Sequence, residues 1–99
     1  MNLISRRGLT QAAKAQRVDS ATVAELDLWY KTTRAAWTNL LDVRQNFGSA
    51  DQVGHLLVFN IRHNRYRLIA FVAYPKQTLY VKALLTHKEY ERKEWMKWA

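Results

Sequence analysis

The order of elements in this 99-residue sequence predicts an α+β fold. In the first half, up to Phe47, apolar residues recur at helical spacing. From His55 onward the texture changes to "HLLVFNI", "RYRLIAFVAY" and "TLYVKALL", runs rich in β-branched and aromatic residues. Three-residue gaps, "RHN" and "PKQ", separate these runs, and gaps so short join antiparallel neighbours. Helices followed by strands give a layered fold in which one sheet face takes the helices. The other face is then free to be a working surface.

Each element has its own signal. "NLIS" reads as a short edge strand. In "RRGLTQAAKAQR", Leu9, Ala12 and Ala13 fall on one face of a short helix, weakened by Gly8. "VDSATVAELDLWYKTTRAA" is the strongest helix. Asp19 or Ser20 can cap it, and Thr22 with Glu25 offers a rival capping box one turn later. Val23, Leu26, Trp29 and Tyr30 form its apolar stripe. "WTNLLDVRQNFGSA" predicts a shorter helix started by Thr38 or Asn39. Leu40, Val43 and Phe47 face inward, and Gly48 is placed to end it in a left-handed cap. "SADQVG" reads as loop. The three runs after it make a meander, with the N-terminal strand as a possible extension. The final "KEYERKEWMKWA" fits either a helix supported by Glu89 and Lys93 or a frayed end, with Trp95 and Trp98 packed back or exposed.

Composition bounds the function. No repeat, low-complexity tract or internal linker divides the chain, so residues 1–99 read as one domain. Sixteen Lys and Arg against eight Asp and Glu give a formal charge of +8. A field of that sign attracts polyanions: nucleic acid, an anionic membrane or an acidic protein. Cysteine is absent, which excludes disulfides and thiolate metal sites and fits the cytoplasm. "MNLISRRGLTQ" lacks the apolar stretch of a secretory signal. No apolar run approaches the roughly 20 residues needed to span a bilayer, so no membrane role is expected.

The chemistry-bearing residues cluster late. Strand alternation puts Arg65 and Arg67 on one face with Ile69, Phe71 and Ala73, and puts Tyr66, Leu68, Ala70 and Val72 on the other. In the next strand Lys82 shares a face with Tyr80 and Leu84, and register decides whether it stands beside Arg67. Cations and rings on one sheet face suit phosphate contact and base stacking. On pattern alone a solvated surface is the commoner role for such cations. His55, His63 and His87 show no metal-ligand spacing, so no metal and no cofactor are expected. "GSADQVG" lacks the ending of a phosphate-binding loop. What remains is metal-free RNA cleavage. It needs a base for a 2′-hydroxyl, cations for the phosphoryl oxygens and an acid for the departing oxygen. Histidine ordinarily titrates near pH 6.5, which suits His87 to either proton role. Tyr90 can share that work or stack on a base.

"VFNIRHNRYRLIAFVAY" followed by "YVKALLTHKEY" resembles the HigB family of bacterial type II toxins, part of the RelE-like group of mRNA interferases. "NLISRRGL" and "WTNLLDVRQNF" fit the same layout, so the likeness runs from Asn2 to Tyr90. The resemblance implies a compact RelE-like domain with N-terminal helices on a curved antiparallel β-sheet. It implies an endoribonuclease that cleaves mRNA, commonly on the translating ribosome. It also implies a HigA-type helix-turn-helix antitoxin as partner, through which the pair meets its operator DNA. Asn60, Asn64, Arg67, His87 and Tyr90 fall on the family's motif. Arg67, Lys82, His87 and Tyr90 are thereby the expected catalytic set, Asn60 and Asn64 their support, and Arg62, His63, Arg65 and Lys88 the flanking RNA contacts. Lys82 stands where relatives often carry arginine, which keeps the charge and loses the bidentate fork. Arg62 and His63 stand where relatives usually carry Gly-Gly, so the turn there is expected to differ. Two other functions fit the same residues: a non-catalytic RNA- or ribosome-binding module, and a positive surface for an acidic protein.

Overall fold

The computed structural model describes residues 1–3 and 6–99. The chain runs β1 (Asn2–Leu3), α1 (Arg6–Gln16), α2 (Ser20–Thr32), α3 (Leu40–Asn46), β2 (Asp51–Val53), β3 (Leu56–Ile61), β4 (Tyr66–Ala73), β5 (Thr78–Thr86) and α4 (His87–Glu91). Short 3-10 turns cover Tyr74–Lys76 and Glu94–Trp98. The fold is α+β, as expected. Of the predicted edge strand "NLIS", Asn2 and Leu3 form β1, and Ile4 and Ser5 lie outside the described residues.

The sheet has five strands in the order β1-β5-β4-β3-β2. β1 runs parallel to β5, and the other pairs are antiparallel. The sheet is therefore wider than the predicted meander. The segment read as loop, "SADQVG", contains β2, which pairs with β3 through a two-residue turn between Val53 and Leu56. Gly54 opens that turn at φ +58°, a position where two-residue hairpins favour glycine. Asp51 and Gln52 carry no apolar alternation, so only pairing with β3 makes them a strand.

α2 begins at Asp19, whose carboxylate accepts from the Thr22 backbone N–H at 2.9 Å and from its hydroxyl at 2.6 Å. Its buried face runs Thr22, Leu26, Trp29 and Thr33, whereas Val23 is 50% exposed. The predicted stripe is thus turned slightly about the helix axis. α3 starts at Asn39, as one of the two predicted caps. It ends at Phe47, whose N–H bonds the Val43 carbonyl at 2.9 Å. Gly48 is not the left-handed cap, because positive φ occurs among the glycines only at Gly54.

The larger core lies between these helices and the sheet. Trp29, Trp37, Phe47 and Phe59 meet there, with Phe59 5.3 Å from Trp29 and 5.1 Å from Phe47 in edge-to-face contacts. Leu57, Ile61, Leu68, Ala70, Val72, Leu79 and Leu84 close the same side. The opposite face is not left open, which corrects the expectation from sequence. Leu56, Val58 and Ile69 are covered by Trp95 from the C-terminal turn, whose indole N–H bonds the Tyr90 carbonyl at 3.0 Å.

A β-bulge interrupts β5. Ile69 pairs with Ala83 but Ala70 pairs with Val81, which leaves Lys82 as the extra residue. The bulge changes the phase of the strand. Leu79 and Leu84, an odd number of positions apart, both reach the helix-side core. Lys82 therefore does not share a face with Leu84, contrary to simple alternation.

Candidate functional site

The motif residues gather where β4 begins, β5 ends and α4 starts. Arg67 lies opposite Asn60 on one side and Leu85 on the other. Its guanidinium donates to the Asn64 carbonyl at 3.1 Å and to the Tyr66 carbonyl at 3.4 Å, and reaches the Asn64 side-chain oxygen at 3.5 Å. The same group lies over the Tyr90 ring, 5.1 Å from its centroid. Tyr90 in turn stacks on Trp95 at 5.1 Å and 9°. The Arg67 guanidinium and the Trp95 indole thus both lie against the Tyr90 ring. Arg67 and Tyr90 meet as the family motif implies, whereas Trp95 joins them from outside that motif. Its only signal was two tryptophans in a polar tail.

α4 is built to present its first turn. Thr86 caps it: its hydroxyl accepts from the Glu89 N–H at 3.2 Å, and the Glu89 carboxylate accepts from the Thr86 N–H at 2.9 Å. Gln16, at the end of α1, donates to that carboxylate at 2.6 Å and to the Leu84 carbonyl at 2.8 Å. The Thr86 backbone N–H first, and the Gln16 amide second, hold the Glu89 carboxyl below its ordinary value. α1 is thus tied to the strand end from which α4 departs.

His87 opens α4. Its backbone N–H bonds the Arg65 carbonyl at 3.1 Å. Its Nε2 stands 3.3 Å from the Glu91 carboxylate, with the two side chains 54% and 60% exposed. An imidazole this open is accessible to a ligand, and one turn of α4 separates it from Tyr90. Lys88 is exposed beside it. Glu91 was not singled out in the sequence, although its i, i+4 spacing from His87 is legible there.

The hairpin tip between β3 and β4 carries Arg62, His63, Asn64 and Arg65. Arg62 and His63 both adopt positive φ, +53° and +59°. Two non-glycine residues therefore hold the conformation that glycine takes at no steric cost. Part of the compensation is external: the Glu25 carboxylate on α2 accepts the Arg62 backbone N–H at 2.7 Å. The turn closes with the Arg65 N–H on the Arg62 carbonyl at 3.1 Å. Asp19 faces this tip. Its carboxyl is held below the usual range first by the Thr22 hydroxyl, next by the Thr22 backbone N–H, with Arg62 and Arg65 adding to the effect. Glu25 and Asp19 were read only as helix-start residues, and nothing in the linear sequence links them to a turn so far downstream.

Lys82 stands apart. Arg67 is opposite Leu85, so the bulge residue lies three positions earlier in β5, roughly 10 Å at strand rise. Its ammonium is 6.0 Å from the Phe71 ring centroid. The structure brings Arg67, Tyr90 and Asn64 into contact and sets His87 one helical turn away. It does not set Lys82 beside them.

Among the described residues, no helix is long and apolar enough to cross a membrane. A family model described as HigB_toxin, RelE-like toxic component of a toxin-antitoxin system, matches residues 22–93. The stretch takes in most of α2 and all of α3 to α4, with Asn64, Arg67, His87 and Tyr90 inside it and Trp95 outside it. A search among curated proteins found no match.

Proposed function

This chain belongs to the HigB family of RelE-like toxins, and from that membership we propose that it is an endoribonuclease which cleaves mRNA on the ribosome and so blocks translation. As a toxin of a toxin–antitoxin system it has an antitoxin for a partner. That partner is of the HigA helix-turn-helix type, and operator DNA is met through it, in the cytoplasm.

One observation carries the reading: a guanidinium seated on a tyrosine ring, within one helical turn of an open imidazole. Arg67 is already held by two backbone carbonyls, so it is oriented before substrate arrives, and preorganised charge is what stabilises a developing oxyanion. The 2′-oxygen of one nucleotide attacks the adjacent phosphorus. The bond from phosphorus to the 5′-oxygen breaks, leaving a cyclic phosphate and a 5′-hydroxyl end. His87 carries a proton in this exchange, with Glu91 orienting the imidazole. Arg67 meets the charge on the phosphoryl oxygens. Tyr90 supplies a ring face or the second proton. Asn60 and Asn64 support Arg67, and Arg62, His63, Arg65 and Lys88 line the approach for the phosphate backbone.

RNA ends mapped after brief induction test this reading. Wild type is expected to give cuts within translated regions bearing 5′-hydroxyl ends, and His87→Ala to abolish them. Full toxicity retained in each of His87→Ala, Tyr90→Ala and Arg67→Ala would overturn the assignment. A non-catalytic RNA-binding module is the second reading, favoured by the solvent-exposed pairing of His87 with Glu91. Ribosome binding without cleavage would select it.

A further inference from the structure

The face that carries Arg67 continues past it into a second cluster of rings. Leu56, Phe71 and Tyr80 occupy paired positions on β3, β4 and β5, and His55 precedes Leu56 in the turn. Phe71 lies centrally: its ring is 5.6 Å from the His55 ring, 6.3 Å from Tyr80 and 6.0 Å from the Lys82 ammonium. Tyr80 is 42% exposed. Beside this row a hollow of about 550 Å³ is lined by His55, Phe71, Tyr74, Pro75 and Lys76, among others. The C-terminal turn that covers Leu56, Val58 and Ile69 with Trp95 leaves Tyr80 uncovered.

We propose that His55, Phe71, Tyr80 and Lys82 form a base-stacking subsite for single-stranded RNA, which holds nucleotides flanking the link cut near Arg67. The inference rests on the RNA reading above and adds where the strand goes next. Open rings interleaved with cations are what sequence-tolerant binding of unpaired nucleic acid requires: every base has a flat face, and every link a charge. The bulge supplies the geometry. By making Lys82 the extra residue of β5 it parts that cation from the Arg67 cluster and leaves it over Phe71. Lys82 thus serves a neighbouring phosphate, not the scissile one. Lysine in place of arginine matters less for such a role, since a flanking phosphate needs a charge more than a bidentate fork.

Fluorescence anisotropy with 2′-O-methyl RNA, which blocks the nucleophile, separates the two sites. A trinucleotide reports the Arg67 cluster, and a nonanucleotide reaches both. Wild type is expected to bind the longer probe more tightly. Tyr80→Ala and Lys82→Gln are expected to remove that gain, about 5- to 100-fold, and leave the trinucleotide unchanged. Arg67→Ala should weaken both probes. Phe71→Leu, which keeps apolar bulk under the row, should lose the gain while thermal melting stays near wild type. A full gain retained in Tyr80→Ala and Lys82→Gln, or no gain in wild type, overturns the subsite. So does loss of antitoxin binding in those variants with the RNA gain intact, which would mark a protein surface. If the gain is lost in Tyr80→Ala while His87→Ala still cleaves RNA, the subsite stands and the catalytic assignment falls.

Discussion

The two faces of the sheet use the same residue class to opposite ends. On the helix side, Trp29, Trp37, Phe47 and Phe59 turn edges to faces, at 5.1 and 5.3 Å for the contacts of Phe59 with Phe47 and Trp29. Each ring there satisfies another, and Trp29, Trp37 and Phe59 are each only 1% exposed. On the other side, Tyr90 and Trp95 lie nearly parallel and Arg67 lies over the Tyr90 ring, while Phe71 and Tyr80 stay partly open beside Lys82. An edge-to-face cluster uses up its ring surfaces. A stacked pair that also holds a guanidinium keeps a charge beside it for something else. Burial and geometry, rather than composition, divide the aromatics into core and platform.

The sharpest way to break the comparison is to truncate one ring on each side. Phe59→Ala is expected to cost about 3–5 kcal/mol in urea unfolding, and Tyr80→Ala to stay within about 0.5 kcal/mol. Equal costs would mean that the platform is core after all. Next in size, Arg67→Ala should lower RNA cleavage by at least about 100-fold, while changing stability by less than about 1 kcal/mol. Arg67→Lys should recover only part of the rate, since an ammonium lacks the planar fork. Rates and unfolding curves on the same preparations decide whether charge placement or folding was lost.

Smaller effects come from the hairpin tip. His63→Gly is expected to stabilise by about 0.5–1 kcal/mol by relieving its positive φ, with a modest loss of RNA affinity if the imidazole lines the approach. A destabilised His63→Gly would show that the turn is held by contacts of that side chain. The smallest effect is that of pH. Asp19 and Glu89 have folded values depressed below the ordinary 3.8 and 4.5. Their contribution is complete above those ordinary values and is lost as pH falls toward the depressed folded ones, because the unfolded chain takes up protons first. Urea midpoints should therefore fall below about pH 4.5, and Glu89→Gln should flatten part of that fall.

Much of this was legible in the sequence where local pattern and tertiary role agree. Alternation in β4 correctly separated Arg67, Ile69 and Phe71 from Leu68, Ala70 and Val72, because that strand is central and regular. The Asp19 cap and the Asn39 cap were both among the candidates, since capping is a local hydrogen bond. Failures came where a partner decides. β2 is a strand only because β3 offers it a ladder. Lys82 moved because a bulge depends on how two strands fit, which no residue of β5 announces. Glu25 and Gln16 act at distances of 37 and 73 residues, on Arg62 and Glu89, and long-range hydrogen bonds leave no periodic trace. Trp95 was seen, but its packing on Tyr90 was left open because end segments carry few constraints of their own.

The parallel pairing of β1 with β5, Asn2 to Thr78 and Leu3 to Leu79, joins segments separated by most of the chain. β2 to β5 can zip one hairpin after another, each closing a short loop. β1 must instead close nearly the longest loop available, at the greatest entropic cost. Until it docks, that border of β5 is a bare ladder able to accept a foreign strand. Amide exchange would accordingly find the β1–β5 seam the last part of the sheet to gain protection during refolding, and the first to lose it.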